Sequence, residues 1–349
     1  MSDDFYTERN NKNLEAIDKL LEKDLPTFCY DYFLAIDSQT STLTRLNYAH
    51  DLKIFFYYLQ QKRFNKDIKE FTLEDLEEIT STDIERYLGF LSHYKYEEKW
   101  HTCNERAKAR KLSSVRAMFK YFFNKGFISV DNSAKVSTPK LHEKPIIRLD
   151  SGEIFNIIDT AESGTGLTAH QRAYHEKNKV RDSAILMLFL GTGIRISELI
   201  GLNNNDINFN DNSFLVTRKG GNKAILYFDD DVAAALQRYL DYKDEKADIL
   251  NDGGSPLFLS SGKNRITVRA VENLVHKYAK IVSPLKNISP HKLRSTYGTQ
   301  LYKATGDIYI VADVLGHKDV NTTRKHYAAI SDDNRRAVVG KVKLKREDE

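Results

Sequence analysis

Residues 182–190 read Asp-Ser-Ala-Ile-Leu-Met-Leu-Phe-Leu, a nearly unbroken apolar run long enough for a buried helix. A helix that is apolar on all sides has to be covered by other elements, so this run predicts a core built around it. Two glycines, Gly191 and Gly193, interrupt the run just before Arg195, in Gly191-Thr192-Gly193-Ile194-Arg195-Ile196-Ser197-Glu198-Leu199. The backbone is expected to turn there and present a guanidinium. Taken alone, the same residues also fit an ordinary arginine at a helix start, paired with Glu198.

The 349 residues exceed one typical domain, and two are expected. Hydrophobic residues make up 41% and charged residues 29%, enough apolar surface for two cores. Residues 10–25 fit a short leading helix. From residue 41 onward Ala49, Leu52, Phe56 and Leu59 recur at helical spacing. Thr80 and Asp83 predict an N-cap with an acidic first turn, leading through Ile84, Tyr87, Leu88 and Leu91. A further helix is expected over 105–123, with Leu112, Val115, Phe119 and Phe122 on one face and Gly126 as its stop. The polar, basic stretch Asn132–Lys140 reads as a linker, which puts a helical domain at 1–138 and a second domain at 139–349.

In the second domain a helix is expected over 150–160, capped by Asp150 or Ser151, followed by a polar surface excursion over 161–180. Two strands, 213–217 and 224–228, flank a glycine-bearing turn from Arg218 to Lys223. Asp229 caps a helix to about residue 243, and helices fit 267–281, 290–304 and 307–314. The fold class is mainly α, with one small antiparallel sheet in the second domain.

Net charge is only +4, but it is unevenly spread. Residues 105–125 carry Arg106, Lys108, Arg110, Lys111, Arg116, Lys120 and Lys125 against Glu105 alone, whereas 67–85 hold eight acids. One basic face suffices to bind a polyanion, and Arg106, Lys108, Arg110, Lys111 and Arg116 are the candidate contacts to one. Cys29 and Cys103 stand in neither a CxxC nor a metal-ligand spacing, which fits a reducing compartment. The acidic, polar N-terminus is no secretory signal, and no apolar run approaches the ~20 residues of a membrane span. The expected location is the cytoplasm.

Candidate chemistry sits in the second domain. His291 and Arg294, three apart after Ser289-Pro290, share a helix face near an N-terminus that favours anions. An arginine fork matches two phosphate oxygens, and a histidine with a pKa near ~6.5 can take or return a proton. Lys219 stands at the hairpin tip, with Lys223 across the turn as its rival. His317 follows Val314-Leu315-Gly316, where a helix-capping histidine is the plainer reading. Tyr327 closes Thr322-Thr323-Arg324-Lys325-His326-Tyr327. Among 19 tyrosines it is set apart by this company. A phenol loses its proton only near pH ~10, so it serves as a nucleophile only where cations stabilise the transition state and another group handles protons. No residue cluster has metal-ligand spacing and no nucleotide-binding loop is present, so neither a metal nor a cofactor is expected.

In this order the motifs resemble the tyrosine recombinases, or phage-type integrases: Arg195 in "GxRxSEL", Lys219 on the hairpin, His291 and Arg294 in "PHKLR", His317 in "LGH", then Tyr327. The interval from His317 to Tyr327 is ten residues where the family usually has nine, and His326 occupies the expected slot. The resemblance implies a SAM-like core-binding domain followed by the catalytic domain, closing as a clamp around duplex DNA that carries an inverted-repeat core site. It implies attack by Tyr327, a 3′-phosphotyrosyl bond, a free 5′ hydroxyl, and a homotetramer passing through a Holliday junction. It also implies exchange of a C-terminal helix, here the segment with Ala337, Val338 and Val339 before the basic tail Lys341, Lys343, Lys345 and Arg346. Without a separate arm-binding domain the chain is similar to single-protein Xer resolvases and to simple mobile-element integrases. Either would work with an accessory DNA translocase or excision factor. A type IB topoisomerase and a catalytically silent DNA-binding protein are the alternatives.

Overall fold

The computed structural model describes residues 5–141, 146–218, 221–246, 254–317 and 320. The chain divides into two compact units, Met1–Lys144 and Pro145–Glu349. The first holds α1 (Phe5–Lys23), α2 (Cys29–Ala35), α3 (Thr42–Leu59), α4 (Leu73–Glu78), α5 (Ser81–Phe90), the strands β1 (Tyr94–Tyr96) and β2 (Lys99–His101), and α6 (Glu105–Asn124). Helix α3 is its axis. The spaced residues Ala49, Leu52, Phe56 and Leu59 are buried, and so are Asp51, Ile54, Phe55 and Tyr58, so α3 is covered around most of its circumference. Phe55 meets Tyr87 of α5 and Phe119 of α6 edge to face, at 5.1 and 6.4 Å between ring centres, the geometry that ring quadrupoles favour.

The capping box at α5 is present, with Thr80 and Asp83 exchanging side-chain and main-chain hydrogen bonds. The leading helix starts earlier than its sequence pattern implied, at Phe5. The short hairpin β1–β2 was not expected. Its turn residues Glu97 and Glu98 adopt positive φ without glycine, which removes the usual sequence signal. Part of the expected linker packs on the first unit. Ser133 and Val136 are buried there, and Arg116 donates to the carbonyls of Ser133 and Val136.

The second unit contains α7 (Ser151–Ser163), α8 (Ala169–Thr192), α9 (Ile196–Leu199), strands β3 (Ile207–Asn208), β4 (Ser213–Thr217) and β5 (Lys223–Tyr227), then α10 (Asp230–Lys246), α11 (Val268–Val282), α12 (Pro290–Thr305) and α13 (Ile308–Leu315). The strands form one antiparallel sheet in the order β3-β4-β5, with Ser213 opposite Tyr227 and Thr217 opposite Lys223. Helix α8 is the apolar run seen in sequence, and α7, α10 and α12 pack around it.

One expectation is corrected. The stretch 161–180 is not a surface excursion, because α8 begins at Ala169 behind a Thr168–Gln171 capping box. Its inward residues are polar and find partners on α11, although His175 Nε2 is buried without one among the described residues. His175 lies 3.1 Å from the Tyr278 hydroxyl, and Tyr278 and Lys277 donate to the buried Asp182, which Arg181 also holds.

Candidate active site

Gly193 ends α8 in the left-handed region at φ 64°. A Cβ there would lie 2.4 Å from the Tyr297 ring and 2.9 Å from Leu315, so only glycine allows α12 and α13 to approach this closely. The turn aims the Gly193 carbonyl at α12 and carries the chain through buried Ile194 to Arg195.

Arg195 is the N-cap of α9. Its amide donates to Glu198 Oε2 at 3.0 Å and its Nη1 to Glu198 Oε1 at 2.8 Å. Glu198 is buried, so the pairing expected of a helix-start arginine is present and serves to fix the guanidinium. The other nitrogen, Nη2, donates to the carbonyls of Leu315 and Gly316 at 3.1 and 3.0 Å. Arg195 keeps 31% of its side chain exposed.

Arg294 lies one turn into α12, behind Pro290 at the first position, where a missing N–H costs nothing. It is only 6% exposed. Its Nη1 donates to the Gly193 carbonyl and its Nη2 to the Leu315 carbonyl. His291 sits one turn earlier on the same helix face and is exposed. Helix α13 ends at Gly316 in the left-handed region, and the amide of His317 closes back on the Ala312 carbonyl at 2.9 Å. His317 is therefore joined by one peptide to the residue whose carbonyl Arg195 holds.

Three of the expected site residues, Arg195, Arg294 and His317, thus meet at the carbonyl end of α13. A fourth group was not anticipated. Arg218, at the end of β4, donates to the Val314 carbonyl at 3.3 Å. The one sequence signal for it is its place beside Lys219. Lys219 and Tyr327 lie outside the described residues, as does the C-terminal segment 331–349. The last carbonyls of a helix lack internal partners and carry partial negative charge, which accounts for three guanidinium groups collecting there. A guanidinium holds five N–H donors, so those spent on carbonyls orient the plane of the remainder. Among the described residues no group of three His, Cys, Asp or Glu side chains is set to hold a metal ion.

The candidate DNA contacts of α6 divide. Lys111 is buried and its ammonium donates to Asp51 Oδ1 at 3.0 Å, which corrects its expected role as a phosphate contact. Arg110 also reaches Asp51 but leaves 52% of its side chain exposed. Arg116 is bound to main-chain carbonyls and to Thr138. Lys108 pairs with Glu105 at 2.9 Å, and Arg106 is exposed.

Residues 148–334 match the phage integrase family, and residues 29–126 match its N-terminal SAM-like domain. Among curated proteins, the tyrosine recombinase XerC of Syntrophus aciditrophicus is 31% identical over 307 residues, covering 86% of this chain and 92% of that protein. XerS of Streptococcus agalactiae is 29% identical and covers 93% of this chain and 98% of its own. Among solved structures, the XerH site-specific recombinase bound to palindromic difH substrate superposes with a TM-score of 0.62 at 19% identity, over 85% of this chain and 80% of that one. The Tn1549 transposon integrase in complex with circular intermediate DNA gives a TM-score of 0.62 at 19% identity, over 89% and 97%. At such identity the structures speak to the fold alone.

Proposed function

On the premise that this chain belongs to the phage integrase family, we propose that it recombines DNA at a specific site through a covalent link between Tyr327 and the 3′ phosphate. The observation that carries the reading is the meeting of Arg195, Arg294 and His317 around the end of α13. In this scheme the Tyr327 oxygen attacks the scissile phosphorus while the bond from phosphorus to the 5′ oxygen breaks. The phenolic proton passes to His291, and Lys219 protonates the departing 5′ oxygen. Arg195 and Arg294 stabilise the charge on the non-bridging oxygens, and His317 donates to one of them. The 5′ hydroxyl of a second duplex then reverses the step, releasing tyrosine and joining the strands in new company. Bond energy is held in the phosphotyrosyl link, so the scheme uses no cofactor.

Double-stranded DNA is the partner, bound by four protomers on two inverted-repeat sites, with the protein a monomer before it meets DNA. Similarity to Xer relatives along most of the chain favours chromosome dimer resolution over mobile-element integration. That role places the protein in the cytoplasm, working with a DNA translocase. The alternative of strand relaxation by a monomer, as in type IB topoisomerases, makes no use of a second duplex.

The test begins with sequencing of DNA that co-purifies with Tyr327→Phe. A nicked suicide substrate built on the recovered site is then incubated with each protein. The wild type is expected to yield a covalent protein–DNA band and Tyr327→Phe to bind equally well without one. A covalent band of normal intensity from the variant overturns the assignment.

A further inference from the structure

The three carbonyls before His317 are each taken by an arginine. Val314 accepts from Arg218 Nη2 at 3.3 Å, Leu315 from Arg195 and Arg294, and Gly316 from Arg195 at 3.0 Å. Arg218 stands at the end of β4, so its side chain ties the sheet to α13, a helix of eight residues. A helix this short does not hold its own end firmly. Its buried Val311 and Leu315 pack on Tyr297 and Leu301 of α12, but apolar contact is non-directional and does not aim a carbonyl. The Arg218 guanidinium fills the space beside Gly316, where a Cβ would fall 2.9 Å from Nε and closer still to Cζ and Nη1. Nε itself is buried and, among the described residues, has no hydrogen-bond partner. An unpaired buried donor costs stability, so a fold that asked only for packing here would be better served by an apolar side chain of the same reach.

We infer that Arg218 is a positioning residue for the phosphate-binding corner: it fixes the end of α13, and with it the Leu315 and Gly316 carbonyls that orient Arg195 and Arg294. The inference rests on the proposed role of those two arginines at the scissile phosphate. Val314 and Leu315 are joined by one planar peptide, so a shift of the first carbonyl is passed to the second. A guanidinium that spends N–H groups on carbonyls takes the plane of its remaining donors from them. Misplacement by about 1 Å costs as much as ~10²-fold in rate. An arginine suits the task because its planar fork takes a defined orientation against the helix end, where carbonyls lack internal partners.

The experiment times single-turnover cleavage by the full-length protein on two nicked suicide substrates built on the recovered site. One carries the normal scissile phosphate and the other a methylphosphonate in its place. A methyl group for one non-bridging oxygen removes the charge that the arginines meet, so a fault in meeting that charge is invisible on the second substrate. Arg218→Met keeps a stem of similar reach and removes the donors. It is expected to cleave the normal strand at least ~10-fold more slowly, a part of the ~10²–10³ that a direct donor contributes, and the methylphosphonate within about threefold of the wild-type rate. Half-site affinity is expected to be unchanged and the melting temperature to equal or exceed the wild type's, a combination that a residue serving only the fold does not give. Arg195→Ala runs alongside as the control. If Arg195→Ala recovers on the methylphosphonate while Arg218→Met is slowed equally on both substrates, or on neither, the positioning role is overturned and the assignment of Arg195 stands. If Arg195→Ala does not recover, that assignment fails and the role of Arg218 falls with it. A lowered melting temperature with both substrates slowed makes Arg218 a packing residue and also overturns the inference. Should Arg218→Met not fold, Arg218→Gln removes the charge on a polar stem and is read by the same two rates.

Discussion

Arg195 and Arg294 donate to one acceptor, the main-chain carbonyl of Leu315. One arginine arrives from the turn after α8 and the other from the first turn of α12, so two segments about a hundred residues apart in sequence are registered on a single oxygen. The acceptor belongs to the helix that leads into His317, and the three groups proposed to hold the phosphate are set by the same few atoms.

Replacing either arginine tests whether this corner acts in the transition state. Arg195→Ala is expected to slow single-turnover cleavage by at least ~10²-fold, the scale of losing a charge-stabilising contact, while half-site binding falls much less because other contacts hold the duplex. Arg294→Ala carries an added cost in stability, since the Gly193 carbonyl loses a buried donor, about 1–3 kcal/mol if left unsatisfied, while Leu315 still accepts from Arg195. Cleavage rates and band-shift titrations on the same preparations check both. Losses of binding and cleavage in strict proportion make these docking residues.

Helix α6 makes a split prediction. Binding should weaken with salt along a log–log slope steeper than about −4, at roughly −0.9 per phosphate neutralised. Arg106→Ala, which removes an exposed charge, is expected to flatten that slope by about 0.9. Lys111→Ala is expected to leave the slope unchanged, because its ammonium is committed to Asp51. Fluorescence anisotropy across a salt series separates the two.

Asp51 is fully buried and accepts from Arg110, Lys111 and Ser114. Asp51→Ala strands the buried ammonium of Lys111, and the first unit should lose about 3–5 kcal/mol. Urea unfolding followed by the fluorescence of Trp100, which lies in that unit, measures it. A change under about 1 kcal/mol shows that the cluster is solvated.

Glu153 predicts a pH dependence. Burial pushes its carboxyl up, but bonds from Lys286, Ser283 and the Asp150 amide outweigh this and hold the pKa at about 2. The unfolded value is near ~4.3. The folded pKa is the lower one, so the stabilisation is complete above ~4.3 and drains away as pH falls toward 2. The melting temperature of the wild type is expected to exceed that of Glu153→Gln at pH 7, and the gap to narrow as pH falls from ~4.3 toward about 2. A gap that stays constant over that range contradicts the pairing.

Where local chemistry specifies an element, the sequence already carries it. The Thr80–Asp83 box starts α5, and Asp229 caps α10 by accepting from the Val232 amide. The expected helices at 267–281, 290–304 and 307–314 each lie within one residue of α11, α12 and α13. The first half of α8 was illegible because its inward side chains are polar, and their partners Lys277 and Tyr278 are supplied from about a hundred residues away. Lys111 misled for the same reason, since nothing near it announces Asp51. In the site, the order of arginines and histidines was legible. The shared Leu315 carbonyl and the reach of Arg218 to Val314 were not, because both depend on how α12, α13 and the sheet pack.

Gly193 has one more consequence. Its carbonyl receives Arg294, its own φ sets the path to Arg195, and the space its missing side chain leaves is filled by Tyr297 and Leu315. A shift of α12 against α8 therefore unseats Arg294 from Gly193 and disturbs Leu315, on which Arg195 also depends. The two guanidiniums are therefore coupled through Leu315, while Arg195 keeps its separate bonds to Glu198. The packing of three helices and the aim of two arginines are thus keyed to one residue that has no side chain.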